Sequence, residues 1–156
     1  MFRINAQPID SQALERSLAD RRAGALATFA GWVRDNNEGR KVSTLEYECY
    51  EALANKEAAR IISEALLAFA VIDITCEHRV GLLTPGEVAV WVGVSAAHRD
   101  AAFAACRFVI DQIKLRLPIW KRETYENGTS GWVNCTHHEE ARLAVQARPS
   151  ENPRRE

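Results

Sequence analysis

VAVWVGVSAAHRDAAFAACRFVIDQIKLRLPIWKRE, residues 88 to 123, decides how the rest of the chain is arranged. The run from Val88 to Val94 is apolar and rich in valine, and it reads as a strand. It breaks at Ser95-Ala96-Ala97-His98-Arg99 and resumes as a helix from about Arg99 to Leu117. Phe103, Cys106, Ile110, Ile113 and Leu117 fall on one face of that helix, which is expected to be buried. Arg107, Asp111 and Lys114 form a separate stripe. The strand hands over to the helix at His98-Arg99, where free backbone N–H groups and the helix dipole favour anions. Lys114 and Arg116 stand at the other end, with Lys121 and Arg122 just past Pro118. Two groups of cations bracket one helix.

Downstream, Ile119–Tyr125 and Gly131–Cys135 read as a β-hairpin across Asn127-Gly128-Thr129-Ser130. Upstream, Thr84-Pro85-Gly86-Glu87 is a tight turn that follows a strand from Val71 to Val80. Ala52 to Phe69 carries Ala54, Ala58, Ile61, Ile62, Ala65, Leu66 and Phe69 on one helical stripe. Thr44 to Tyr50 alternates Leu45, Tyr47 and Cys49 with Glu46, Glu48 and Tyr50, the pattern of a half-buried strand. Arg34 to Arg40 is polar and predicts a mobile loop. Gly24 to Val33 reads as a strand, and Ser11 to Arg22 as a short helix capped by Asp10 or Ser11. Phe2-Arg3-Ile4 supplies an edge strand. From Thr136 onward the chain is polar, and residues 137–156 predict a flexible tail after one domain of residues 1–136. Strands and helices are mixed and hairpins are present. The expected class is α+β, a single domain with a mixed or antiparallel sheet and flanking helices, resembling an α/β hammerhead.

At 156 residues, with 47% apolar and 26% charged residues, the composition is that of one globular domain. A net charge of −1 makes the basic groups local features and argues against a general nucleic-acid binder. No apolar run approaches the ~20 residues that span a bilayer. The N-terminal MFRINAQPID lacks the apolar core of a signal peptide, so a cytoplasmic protein with no membrane partner is expected. Cys49, Cys76, Cys106 and Cys135 lie far apart and predict free thiols in a reducing compartment. His137 and His138 are adjacent in a polar stretch and do not converge on one ion.

The chemistry on offer is anionic recognition. The Arg34 loop, the His98-Arg99 pair and the Lys114/Lys121 region could converge on one cationic pocket. Guanidinium groups suit phosphate and carboxylate oxygens, and a partly buried lysine among cations becomes a usable nucleophile or base. Plainer readings stand beside these. Lys114 could pair with Asp111 or interact with the helix dipole, and Arg34 could be solvated. His98 could cap the helix, and Lys121 to Glu123 could be the exposed face of an edge strand.

At these residues the sequence resembles the large, catalytic subunit of molybdopterin synthase. The stretches are TFAGWVRDNN (28–37), LEYECYEALANK (45–56), HRVGLLTPGE (78–87), VGVSAAHRDAAFAA (92–105) and KLRLPIWKRE (114–123). The SAHR-type turn combined with the KxxxPxWK segment is the most specific part. The resemblance implies conversion of cyclic pyranopterin monophosphate (precursor Z) to molybdopterin, with two sulfurs installed as a dithiolene. The sulfur donor would be the C-terminal Gly-Gly thiocarboxylate of a small ubiquitin-like subunit. The implied assembly is a heterotetramer built on a central dimer, in which a neighbouring chain could contribute cations. Lys114 would be the principal catalytic residue, with Lys121 beside it. Arg34, His98 and Arg99 would bind the pterin and its phosphate, Arg122 and Glu123 would complete the substrate contacts, and Phe29 would shape the wall. No metal or other cofactor is required. Trp32 stands where a more polar residue is expected, and ENGTSGWVNC looks slightly longer than the family's turn. The alternative from another class is a non-catalytic scaffold that binds an anionic peptide tail or a pterin without turnover.

Overall fold

The structure, a computed structural model, describes residues 1–129 and 131–134. Ser130, Cys135, the His137-His138 pair and the expected tail lie outside the described residues. The valine-rich run forms β7 (Val88–Ala96), two residues longer than expected. It is hydrogen-bonded on both sides, to β5 (Val71–Arg79) and to β2 (Ala25–Trp32), both antiparallel. A strand with two neighbours and packing on both faces must be apolar almost throughout, which accounts for the run. β1 (Phe2–Asn5) adds a parallel edge to β5, giving the order β1-β5-β7-β2.

Two helices cover one face of this sheet. In α2 (Glu51–Ala68) the residues Ala54, Ala58, Ile61, Ile62 and Ala65 are buried, as the stripe predicts. Leu66, placed on the same stripe, is instead 44% exposed. α3 (Arg99–Arg116) buries Ala102, Ala105, Cys106, Val109, Ile110 and Ile113. Phe103, expected inside, is 65% exposed. Alanines at 102 and 105 take the buried positions of the first turns, so the helix sits rotated relative to the stripe drawn through Phe103. These residues form one core with Ile74, Val92 and Val94 of the sheet. Truncating one of them, Ile61→Ala for instance, costs about 2–5 kcal/mol. The other face holds a smaller cluster in which Leu14 and Leu18 meet Trp91. Leu14 belongs to α1 (Ser11–Ser17), which Asp10 caps by accepting from the Ala13 N–H at 3.0 Å. Gly93 admits the indole of Trp91, since a Cβ there would lie 2.2 Å from its Cη2.

A second sheet carries the polar chemistry. β3 (Asn36–Asn37) and β4 (Arg40–Cys49) form a hairpin where a mobile loop was expected. Glu38 and Gly39 both have positive φ (51° and 77°), the signature of a two-residue primed turn. β4 also pairs with β6 (Gly81–Leu83) and with β8 (Ile119–Tyr125). β8 turns back through β9 (Gly128–Thr129) and pairs further on with β10 (Val133–Asn134), which is the expected hairpin with a tighter turn. The single sheet of the sequence reading is therefore two. No helix among the described residues is long and apolar enough to cross a membrane.

Candidate functional site

Pro118 follows the last turn of α3 and cannot continue the helix. The chain turns at once into β8, so Lys114 and Lys121 are delivered to the same place from helix and strand. Both line a cavity of about 310 Å³, together with Arg34, Asn36 and Asn37, Tyr47 and Glu123. Val33, Val42 and Leu45 complete its apolar floor, and Trp32 stands in its wall.

Register explains which side chains of the second sheet face this cavity. Tyr47 lies opposite Lys121, and Leu45 opposite Glu123, so these four share one face. Glu46 lies opposite Arg122, and that pair takes the other face. Arg122 forms an ion pair with Glu46 and stacks over the ring of Trp132 at 4.7 Å. It is therefore not among the residues that line the cavity.

Lys121 donates to Glu123 at 3.1 Å, and both side chains are largely buried. Glu123 also accepts from Asn37 Nδ2 at 2.8 Å and from the Tyr125 hydroxyl. Burial alone would raise this carboxyl. The Tyr125 hydrogen bond, the charge and hydrogen bond of Lys121 and the Asn37 amide outweigh it, and hold the group below the usual carboxylate range. Glu123 is thus an anion fixed beside Lys121 in the cavity wall.

Lys114 is exposed rather than partly buried. Its expected partner Asp111 pairs with Arg107 at 3.4 Å instead. Arg116 leaves the cationic group altogether. It holds Glu64 with a two-pronged fork at 2.6 and 2.9 Å and Glu57 at 2.7 Å, which fastens the end of α3 to α2. Arg34 is exposed at the end of β2, and its strand end is clamped from below. Val33 N–H donates to Glu87 O at 2.9 Å and Gly86 N–H to Val33 O at 2.8 Å. Glu87 is itself fixed by the largely buried Arg79 at 2.6 Å and by the Thr84 N–H at 2.7 Å. The carboxyl of Glu87 is accordingly held down at about 2, first by the Arg79 hydrogen bond.

His98 and Arg99 do not join this group within one chain. Arg99 is fifteen residues before Lys114 on the same helix, roughly 22 Å at ~1.5 Å per residue. His98 is the residue preceding α3 and makes no side-chain capping bond, while Arg99 pairs with Asp100 at 3.8 Å, its one ion pair among the described residues. Phe29 lines a different hollow, on the α3 side of β2, with Phe103, Cys106 and Ile110.

His78 is the residue that sequence reasoning missed. It is buried edge-on against Tyr47, with ring centroids 5.1 Å apart, and its Nδ1 lies 2.8 Å from the Arg79 carbonyl. Burial, with the nearby charge of Lys114, lowers its pKa to about 4 despite that hydrogen bond. It forms a neutral backing to the cationic cavity. The available signal was its place in HRVGLLTPGE beside an apolar strand.

Residues 4–116 match the family described as MoaE protein. The chain belongs to that family. It is 46% identical over 110 residues to the molybdopterin synthase catalytic subunit of Thermoplasma volcanium, spanning 70% of this chain and 80% of that one. The crystal structure of molybdopterin synthase from Staphylococcus aureus superposes with a TM-score of 0.79 at 34% identity, covering 83% of this MoaE-family chain and 94% of that one. A complex of subunits 1 and 2 of molybdopterin-converting factor from Helicobacter pylori gives 0.69 at 21% identity, over 82% and 87% of the chains. At that identity the likeness concerns the fold alone. The family match ends at Arg116, so Lys114 lies within it and Lys121 just beyond.

Proposed function

We propose that this MoaE-family chain is the catalytic subunit of a molybdopterin synthase. It converts cyclic pyranopterin monophosphate to molybdopterin with sulfur from the C-terminal thiocarboxylate of a small ubiquitin-like subunit. The observation that carries the reading is the meeting of Lys114, Lys121 and Arg34 around one cavity in a chain of this family. Both reactants are anions, a phosphate ester and a thiocarboxylate tail, and a cationic cavity serves both.

The roles follow from placement. Arg34 offers a planar fork to the phosphate. Lys121, held by Glu123, presents a fixed positive charge. Lys114, exposed at the cavity and in no ion pair among the described residues, can move a proton or stabilise the oxyanion that forms when the thiocarboxylate sulfur adds to a pterin side-chain carbonyl carbon and the C=O π pair moves to oxygen. Water then hydrolyses the resulting thioester: the acyl C–S bond breaks, the tail leaves as a carboxylate and the sulfur stays on the pterin. The sulfur is not carried on a described cysteine of this chain. Burial pushes up all three described thiols, Cys49 among them, Cys106 to about 11 and Cys76 higher still, so none is a reactive thiolate.

His98 and Arg99 lie too far along α3 to reach the same substrate from the same chain, so their share of binding comes from a second copy in a central dimer. The small subunit then completes a heterotetramer. Residues 1–136 form the catalytic-subunit domain, residues 137–156 a polar tail, and the protein works in the cytoplasm. The test is reconstitution with precursor Z and a thiocarboxylated small subunit, with molybdopterin read as its fluorescent oxidised derivative. Product formation supports the synthase. A stable complex with the small subunit that never makes product would favour the scaffold reading.

A further inference from the structure

Trp32 is 68% exposed in the wall of a cavity whose other exposed groups are cations and amides. The other described tryptophans are placed differently. Trp91 is buried in the core, Trp120 is half-buried on β8, and Trp132 lies under the Arg122 guanidinium. Among the described residues no ring or guanidinium stacks on Trp32.

The position of this indole is built into the strand. Pairing with β7 shifts at this point, since Gly31 faces Val90 but Trp32 faces Val88, and Ala89 is the extra residue. Such a bulge re-aims the side chain beside it. Gly31 is needed for the approach, because a Cβ there would meet Val90 Cγ1 at 2.8 Å. On the other side Val33 is buried and clamped by the two backbone bonds to Gly86 and Glu87. Trp32 is thus held between fixed neighbours.

A large aromatic surface left in water beside three cations fits one kind of ligand: a flat heterocycle that carries a phosphate. The ring gains stacking and the phosphate gains charge, and neither surface alone would provide both. A tail ending in glycines has no aromatic face to offer. The residues beside Trp32 in the wall are Arg34, Asn36 and Asn37, so the indole is not part of a wider apolar patch of the kind a protein contact would bury. The cavity volume of about 310 Å³ lies at the lower end of small-molecule sites.

We propose that Trp32 is the platform on which the flat ring system of the substrate stacks, its phosphate directed to Arg34 and the lysines. The proposal rests on the synthase reading and names the residue that sets ring affinity in this chain. Stacking of a base on an aromatic side chain is worth about 1–3 kcal/mol, so its loss corresponds to roughly a five- to hundredfold weaker complex.

The test uses the complete complex with the thiocarboxylated small subunit and compares Trp32→Phe with Trp32→Leu. Phe keeps a π face and should hold KM for precursor Z within about threefold. Leu keeps apolar bulk without the face and should raise KM at least roughly fivefold with kcat nearly unchanged. Calorimetric binding of precursor Z to the same variants should weaken in parallel. A Leu variant with wild-type KM and affinity overturns the proposal while leaving the synthase reading intact. A Leu variant whose assembly mass falls in light scattering, with affinity per site unchanged, also overturns it, because Trp32 would then be a subunit contact. Wild-type protein that neither binds nor converts precursor Z removes the synthase reading and this proposal together.

Discussion

Lys121 and Glu123 lie two residues apart on the same face of β8 and are joined by a 3.1 Å ion-pair hydrogen bond. Among the described residues lining the cationic cavity Glu123 is the sole acid. Asn37 and Tyr125 also hold it, so the position of Lys121 is set from two strands, β3 and β8. This arrangement is expensive to disturb, since a buried carboxylate with several donors leaves each of them unsatisfied when it is removed.

Glu123→Gln should therefore lower both stability and turnover. The expected loss is about 1–3 kcal/mol at neutral pH, measured by urea unfolding, and roughly tenfold in kcat. The pH dependence has a definite sign. The folded carboxyl titrates below its unfolded value, so its contribution is complete above about pH 4.3 and is lost as pH falls through the folded pKa. The stability gap between wild type and variant should narrow over that acidic range. A gap that widens with acid would contradict the assigned hydrogen bonds.

His78 gives a second pH signature at a milder range. Its folded pKa of about 4 lies below the ordinary value near 6.5. Between those values the unfolded chain binds a proton that the folded chain refuses, so stability falls as pH drops from 6.5 toward 4. At pH 5 the loss relative to pH 8 is roughly 2 kcal/mol from this group. His78→Gln should flatten that part of the curve. NMR of the ring should show His78 neutral at pH 6, and a protonated ring there would refute its role as a neutral backing to Lys114.

Arg122 and Lys121 are neighbours in sequence on opposite faces, and their alanine variants should separate cleanly. Arg122→Ala removes the Glu46 pair and the contact with Trp132, both partly exposed, for about 1–2 kcal/mol of stability. Its kcat/KM should stay within about threefold of wild type. Lys121→Ala should instead lower kcat/KM by at least about a hundredfold. Equal catalytic losses would put Arg122 back among the substrate contacts.

Much of this was legible from the order of residues, and the exceptions have physical causes. The strand–helix unit of residues 88–117 is carried by periodicity, since valine runs and helical stripes report burial directly. The same periodicity misplaced Phe103, because alanine is small enough to take the buried position while a larger neighbour looks like the better core residue. Strand alternation would have put Arg122 on the face opposite Lys121. Charge alone groups these cations as one block, and the register with β4 divides it. His98 and Arg99 were grouped with Lys114 by charge, although the rise of the intervening helix forbids their meeting within one chain. The Arg34–Arg40 stretch looked like a loop because a two-residue hairpin with Glu38 at positive φ has no apolar alternation to announce it. His78 gave little warning, since a buried neutral histidine and a solvated one have the same letter.

The central claim is that Lys114 performs chemistry at the cavity, and one experiment reaches it directly. Lys114 is exposed, so Lys114→Ala should change stability by no more than about 0.5 kcal/mol. Molybdopterin formation from precursor Z and the thiocarboxylated small subunit should be measured in a single turnover, with complex formation checked in parallel. The expected result is a folded variant that binds the small subunit like wild type and makes at least about a thousandfold less product. Product at the wild-type rate from that complex would contradict it.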